Sequence, residues 1–171
     1  GHSICIMPEG GQGEERKIRP LVKGIFRLAF EAQKEFGTEK KVKIIPLGIN
    51  FGDLEKCGKS IIINIGKPID IQDYIPSFDI NQPKAINKVK NKLHQELSIL
   101  TLDLATSQYY ASFETIADIM AEELVETDEK VNVTTEKFRL KQKTAKTLVE
   151  IEKSEPELML ELNRLSTNYS S

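Results

Sequence analysis

A short apolar run, Ile4-Cys5-Ile6, stops at a Pro8-Glu9-Gly10 turn, and thirteen residues past that glycine the chain reads Lys23-Gly24-Ile25-Phe26-Arg27-Leu28-Ala29. Between them lies a loop carrying Gly10, Gly11 and Gly13, then a basic segment. Read as strand, turn, loop and helix, this order predicts an α/β layer. It sets a carboxylate and glycine backbone amides at the carboxyl end of a strand, where open α/β sheets bind ligands. The surroundings are positive: from Arg16 to Lys43 there are nine Lys or Arg against three Glu.

The apolar spacing predicts the remaining elements. Residues 3–7 read as a buried strand. Pro20 suits a first helical turn, and Leu21, Ile25, Leu28, Ala32 and Phe36 fall on one helical face that Gly37 ends. Val42–Phe51 reads as a strand in which Pro46 marks a bulge, an edge or the strand's end, because proline cannot donate to a ladder. A turn through Gly52, Asp53 and Gly58 leads to a strand over Ser60–Ile65. That strand is apolar on both parities and therefore expected to be covered on both faces. From Pro83 the pattern turns helical: Ile86, Val89, Leu93, Leu97, Leu100 and Leu104 form one stripe. A second helix is expected from a Ser112 cap, with Phe113, Ile116, Ala117, Met120 and Leu124 inward. A third starts at Thr134 or Thr135, and a last short one at Pro156 with Leu158, Met159, Leu162 and Leu165 inward. The final residues read as frayed. The fold class is thus α/β, a partial mixed sheet with a flanking helix, followed by an α-helical C-terminal region. The division falls into 1–80 and 81–171.

Composition narrows the function classes. Of 171 residues, 39% are hydrophobic and 29% charged, ordinary for a globular chain. The net charge of −2 does not suggest nucleic-acid binding. The basic surplus after the turn suits an anionic substrate or anionic headgroups; a solvated loop and helix face is the plainer reading of it. Cys5 reads as a small core residue, and Cys5 and Cys57 lack the spacing of a disulfide framework. With His2 and His94 they also lack the spacing of zinc ligands. No apolar run approaches the ~20 residues of a membrane span.

The segment Met7-Pro8-Glu9-Gly10-Gly11-Gln12-Gly13, with Lys17, Pro20, Lys23 and Gly24 after it, resembles the third sequence block of the glycerol-3-phosphate and lysophosphatidate acyltransferases. That block reads Phe-Pro-Glu-Gly-Thr-Arg-Ser and precedes a basic loop and a Lys-Gly helix start. Ile44-Ile45-Pro46-Leu47-Gly48-Ile49 resembles the family's fourth block. Ile61–Ile69, with Gly66-Lys67-Pro68-Ile69, resembles a later strand. The resemblance covers roughly residues 1–75. The family's His-x-x-x-x-Asp pair is absent from this sequence: Met7 follows His2 by five places and Ile99 follows His94 by five. Gly1-His2-Ser3 therefore reads as native sequence, and the chain as the C-terminal part of a larger acyltransferase; a tag remnant is the other reading of those three residues.

The resemblance implies transfer of an acyl chain from acyl-CoA or acyl-carrier protein, with no other cofactor and no metal, to a lysophospholipid or glycerol phosphate hydroxyl. The family's His is the base and its Asp the orienter, so the chain alone is expected to be inactive. Pro8, Glu9, Gly10, Gly11, Gln12, Lys17, Lys23 and Pro46 then map to the acceptor pocket. Glu9 organises that pocket, and Gly10-Gly11 lets the phosphate approach closely. Gln12 stands where the family has Arg and cannot fork onto phosphate. The phosphate charge is therefore expected to fall to Arg16, Lys17, Arg19 or Lys23. The family further implies a cytoplasmic protein peripheral to the inner or cytoplasmic membrane. Absence of the upstream half implies an uncovered apolar sheet face, hidden by a second copy or by the tail helices. Two other readings remain open: a non-catalytic helical interaction module on a degenerate acyltransferase half, and an unrelated phosphate-binding enzyme that uses the Gly10–Gly13 loop.

Overall fold

The computed structural model describes residues 3–11, 15–51, 60–106, 108–125 and 132–170. The protein is mixed α and β, with helix dominant. It forms two compact units: Gly1–Gly13, Ile18–Ile49 and Ile63–Leu100 make the first, and Glu14–Lys17, Asn50–Ile62 and Thr101–Ser171 the second. The expected Gly52–Gly58 turn lies outside the described residues.

Three helices and a small ladder build the first unit. They are α1 (Gly24–Phe36), α2 (Ile75–Ile80), α3 (Gln82–Leu100), and strands β1 (Lys43–Ile44) and β4 (Ile69–Asp70). Strands β1 and β4 pair antiparallel, Lys43 opposite Asp70 and Ile44 opposite Ile69. A 3-10 turn over Ile71–Tyr74 leads into α2, and Asp70 caps it by accepting the Gln72 N–H at 3.1 Å. The core is Leu21, Phe26, Phe30, Ile69, Ile71 and Phe78 against Ala85, Ile86, Val89, Leu93 and Leu97 of α3. The Phe30 and Phe78 rings stack with centroids 4.2 Å apart.

The expected helix from Pro20 ends where predicted but begins at Gly24 instead, and its buried face is rotated. Its buried residues are Phe26, Phe30 and Gln33, while Leu28 and Phe36 are exposed. The two phenylalanines outweigh the leucine as core filling. Gly37, at φ 60°, ends the helix in the left-handed region that favours glycine. The predicted stripe on α3 holds from Ile86 to Leu97, but the helix stops at Leu100, so Leu104 is not part of it.

Strands β2 (Leu47–Phe51) and β3 (Ile61–Ile65) pair as a second two-stranded sheet, so the expected single sheet is divided. The break falls at Ile45-Pro46. Burial alternates without interruption along Lys43–Phe51. The inward positions of the ribbon are Gly48 and Asn50 of β2 and Ile62 and Asn64 of β3. A Cβ on Gly48 would lie 2.4 Å from the Leu100 carbonyl oxygen, and Asn64 donates to that same oxygen at 2.8 Å. Leu47, Ile49, Ile63 and Ile65 point outward and are exposed. The strand over 60–65 is thus open on one face, contrary to the expectation from its two-sided apolar pattern. Residues 3–8 form no strand, and Cys5 is exposed rather than in a core.

The second unit is a bundle of α4 (Tyr110–Leu124), α5 (Val133–Ser154) and α6 (Pro156–Ser170). Leu102, Leu104, Phe113, Ala145, Leu148 and Met159 fill its core. Asn132 caps α5, accepting the Thr135 N–H at 3.1 Å. Ser112 does not cap α4 as expected; it lies buried inside the first turn and donates to Asn163 Oδ1 at 2.5 Å. Met120, Leu124, Leu158 and Leu165, predicted inward, are partly exposed, and α6 continues through the tail that was expected to fray.

Candidate functional site

The turn after the opening segment is pinned to the residues that start α1. The Val22 N–H donates to the Pro8 carbonyl oxygen at 2.8 Å, and Glu9 forms an isolated antiparallel bridge with Leu21. Leu21 is buried in the first core, so Glu9 is anchored through it. The Glu9 carboxylate, half-buried, accepts the Arg19 N–H at a long 3.4 Å. A Cβ on Gly10 would meet Val22 Cγ1 at 2.9 Å, so glycine is what lets the turn lie against Val22. Gly11 is exposed and has open space around it. Gln12 lies outside the described residues.

Lys23 is the residue before the first turn of α1 and is exposed; its side chain makes no capping bond. Arg27 stands one turn further, its N–H donating to the Lys23 carbonyl at 3.2 Å, so the two cations share a helix edge. Among the described residues the side chains of Arg19, Lys23 and Arg27 form no ion pair with a carboxylate, and all three belong to the first unit. Arg27 was missed in the sequence reading, although its four-residue spacing from Lys23 is visible there.

Arg16 and Lys17 belong to the second unit. The Arg16 guanidinium is committed inside that unit: Nε lies 3.3 Å from Glu114 Oε1, and Nη1 donates to the Phe51 carbonyl at 2.8 Å. Its backbone is held as well, N–H to the Tyr110 hydroxyl at 2.7 Å and C=O from the Leu104 N–H at 2.8 Å. Burial pushes the Tyr110 hydroxyl up from its ordinary pKa, partly offset by that bond from Arg16. Arg16 is a strut of the second unit, which corrects its place among the expected phosphate ligands. Lys17 pairs with Glu15 at 2.5 Å.

Pro46 is buried, and its carbonyl accepts the Gly66 N–H at 2.9 Å, closing the near end of the β2–β3 ribbon. A separate cleft of about 260 Å³ is lined by Lys67, Pro68, Ile69, Asp70, Asp73, Tyr74, Lys92 and Glu96, none of them a predicted site residue. In it the hydrogen bond and charge of Glu96 hold Lys92 above the ordinary lysine range.

The arrangement offers a carboxylate, a glycine turn and cations, which suits binding an anion; among the described residues the one histidine, His94, is exposed on α3 of the same unit. Among the described residues no three His, Cys, Asp or Glu side chains gather to hold a metal. None of their helices is long and apolar enough to cross a membrane. The chain matches no protein-family model, and no curated protein and no solved structure is significantly similar to it.

Proposed function

We propose that this chain supplies the acceptor-binding part of a glycerolipid O-acyltransferase. The observation that carries the reading is the Pro8–Val22 hydrogen bond together with the Glu9–Leu21 bridge. It fixes the Pro-Glu-Gly turn against a helix start that carries Lys23 and Arg27. A phosphorylated glycerol or lysophospholipid would set its phosphate against Arg19, Lys23 and Arg27 and the Gly10-Gly11 amides. Glu9 would hold the neighbouring hydroxyl. Charged hydrogen bonds of this kind contribute ~1.5–3 kcal/mol each. The acyl thioester of CoA or acyl-carrier protein is the donor, and the reaction takes place at a cytoplasmic membrane surface.

In this reading the general base comes from a His-Asp pair that the present sequence does not contain, so the chain by itself binds the acceptor and does not turn it over. The test is an assay of the purified chain with an acyl-CoA and lysophosphatidate. Binding of lysophosphatidate without transfer is expected. Turnover that Glu9→Ala abolishes would contradict the division of labour, and absence of any lysophosphatidate binding would contradict the acceptor site.

A further inference from the structure

We propose that the cleft which Lys67, Asp73 and Tyr74 share with α3 binds a small zwitterion, its carboxylate on Lys67 and its ammonium on Asp73.

The cleft belongs wholly to the first unit, and its wall includes Ile69 of that unit's core. Five charged side chains line it, and three of them are already engaged. Asp70 accepts the Gln72 N–H through Oδ1 and meets Lys41 Nζ through Oδ2 at 3.4 Å. Lys92 and Glu96, one turn apart on α3, pair at 2.6 Å, and the Glu96 side chain is only 15% exposed. Lys67 and Asp73 are the remainder. Among the described residues neither forms an ion pair or a side-chain hydrogen bond, with the other or with a third group. The half-buried Tyr74 ring and Pro68 add apolar wall beside them.

That remainder selects the ligand. With Lys41 included, three cations around the cleft balance three carboxylates. A plain anion drawn to Lys67 would face the carboxylates, and a plain cation drawn to Asp73 would face the lysines. A molecule that joins an ammonium to a carboxylate through a short apolar chain satisfies both unpaired groups and lays its chain on Pro68 and Tyr74. A few polar groups set in an apolar wall are the usual make-up of a small-molecule site. Lys67 and Asp73 are both exposed, so each contact is screened and the binding weak. No residue of the Pro8-Glu9-Gly10 turn lines the cleft, so the inference does not rest on the acceptor site.

The test is an NMR titration of the 171-residue chain with ε-aminohexanoate at low ionic strength, with hexanoate and hexylamine as single-charge controls. Saturable shifts are expected at Ile69, Asp73, Tyr74 and Lys92, with a dissociation constant on the order of 1 mM. Each control should bind roughly threefold to fivefold more weakly. Lys67→Gln should weaken ε-aminohexanoate by a similar factor and leave hexylamine unchanged, whereas Asp73→Asn should weaken both. Lys67→Asp combined with Asp73→Lys should restore binding, with the ligand reversed end for end. Absence of saturable shifts up to about 20 mM, well above the expected constant, would overturn the proposal. So would a control that binds as tightly as ε-aminohexanoate, or a charge exchange that fails to rescue while the rest of the amide spectrum is unchanged.

Discussion

The amide side chain of Gln33, buried on α1, accepts the Val42 N–H at 2.7 Å and so ties the end of the helix to the strand that follows it. Its nitrogen donates to the carbonyls of Gly37 and Lys40 at 2.7 and 3.0 Å. One side chain thereby satisfies three backbone groups in a loop that no regular structure serves. Gln33→Leu should lower stability by about 1–3 kcal/mol, because three part-buried hydrogen bonds to the backbone are lost while the side-chain volume is kept. Urea denaturation measures it; a loss under 0.5 kcal/mol would mean that water replaces the amide.

Gly48→Ala should be more damaging than Gly11→Ala. A Cβ on Gly48 would overlap the carbonyl carbon and oxygen of Leu100 and force the ribbon off α3, whereas one on Gly11 meets nothing. Overpacking against backbone costs about 1–3 kcal/mol or more. The melting temperature of the Gly48 variant should fall by several degrees and that of the Gly11 variant should hold. Equal melting temperatures would contradict the close approach.

Gly10→Ala tests the pinned turn itself. Its Cβ would sit 2.9 Å from Val22 Cγ1, so the turn or that side chain must shift. Amide exchange at Val22 should speed by roughly tenfold, since about 1.4 kcal/mol of local stability corresponds to a tenfold change. Unchanged exchange would show that Val22 rotates away without disturbing the bond to Pro8.

Glu122 and Lys137 join α4 to α5, with Lys137 Nζ 2.5 Å from a Glu122 carboxylate oxygen. The hydrogen bond from Lys137 holds the Glu122 carboxyl below its ordinary pKa. A depressed folded-state pKa means that this contribution is present above the unfolded carboxyl value, about 4.3, and is lost as pH falls through the folded value. Thermal stability of the wild type should therefore drop more between pH 5 and 3, roughly the carboxyl range, than that of Glu122→Gln. Parallel pH curves would show that the surface pair contributes nothing.

The helices were the legible part of the fold. The stripe Ile86–Leu97 named the buried face of α3, and Pro156 and Gly37 marked real helix ends. What failed was the choice of face where a helix carries apolar residues on two sides: α1 buries Phe26 and Phe30 rather than Leu28 and Phe36, and α6 turns Leu158 and Leu165 outward. Spacing alone cannot rank such faces, because tertiary packing decides which one meets a core. Residues 71–80 carried no expected element; a four-residue turn and a six-residue helix are too short for periodicity to register. Of the site, the Glu9 turn and Lys23 were visible as a motif and a spacing. The loss of Arg16 to Glu114 and Phe51 depends on partners 98 and 35 residues away, which no local pattern encodes.

Backbone NMR of the chain titrated with short-chain lysophosphatidate tests the acceptor site most directly. The account predicts saturable shifts at Glu9, Gly10, Gly11, Val22 and Lys23. It also predicts a dissociation constant raised roughly ten- to hundredfold by Lys23→Ala, and no such change in Arg16→Lys. Shifts that bypass the Pro8–Val22 turn, or an affinity that Lys23→Ala leaves intact, would contradict it.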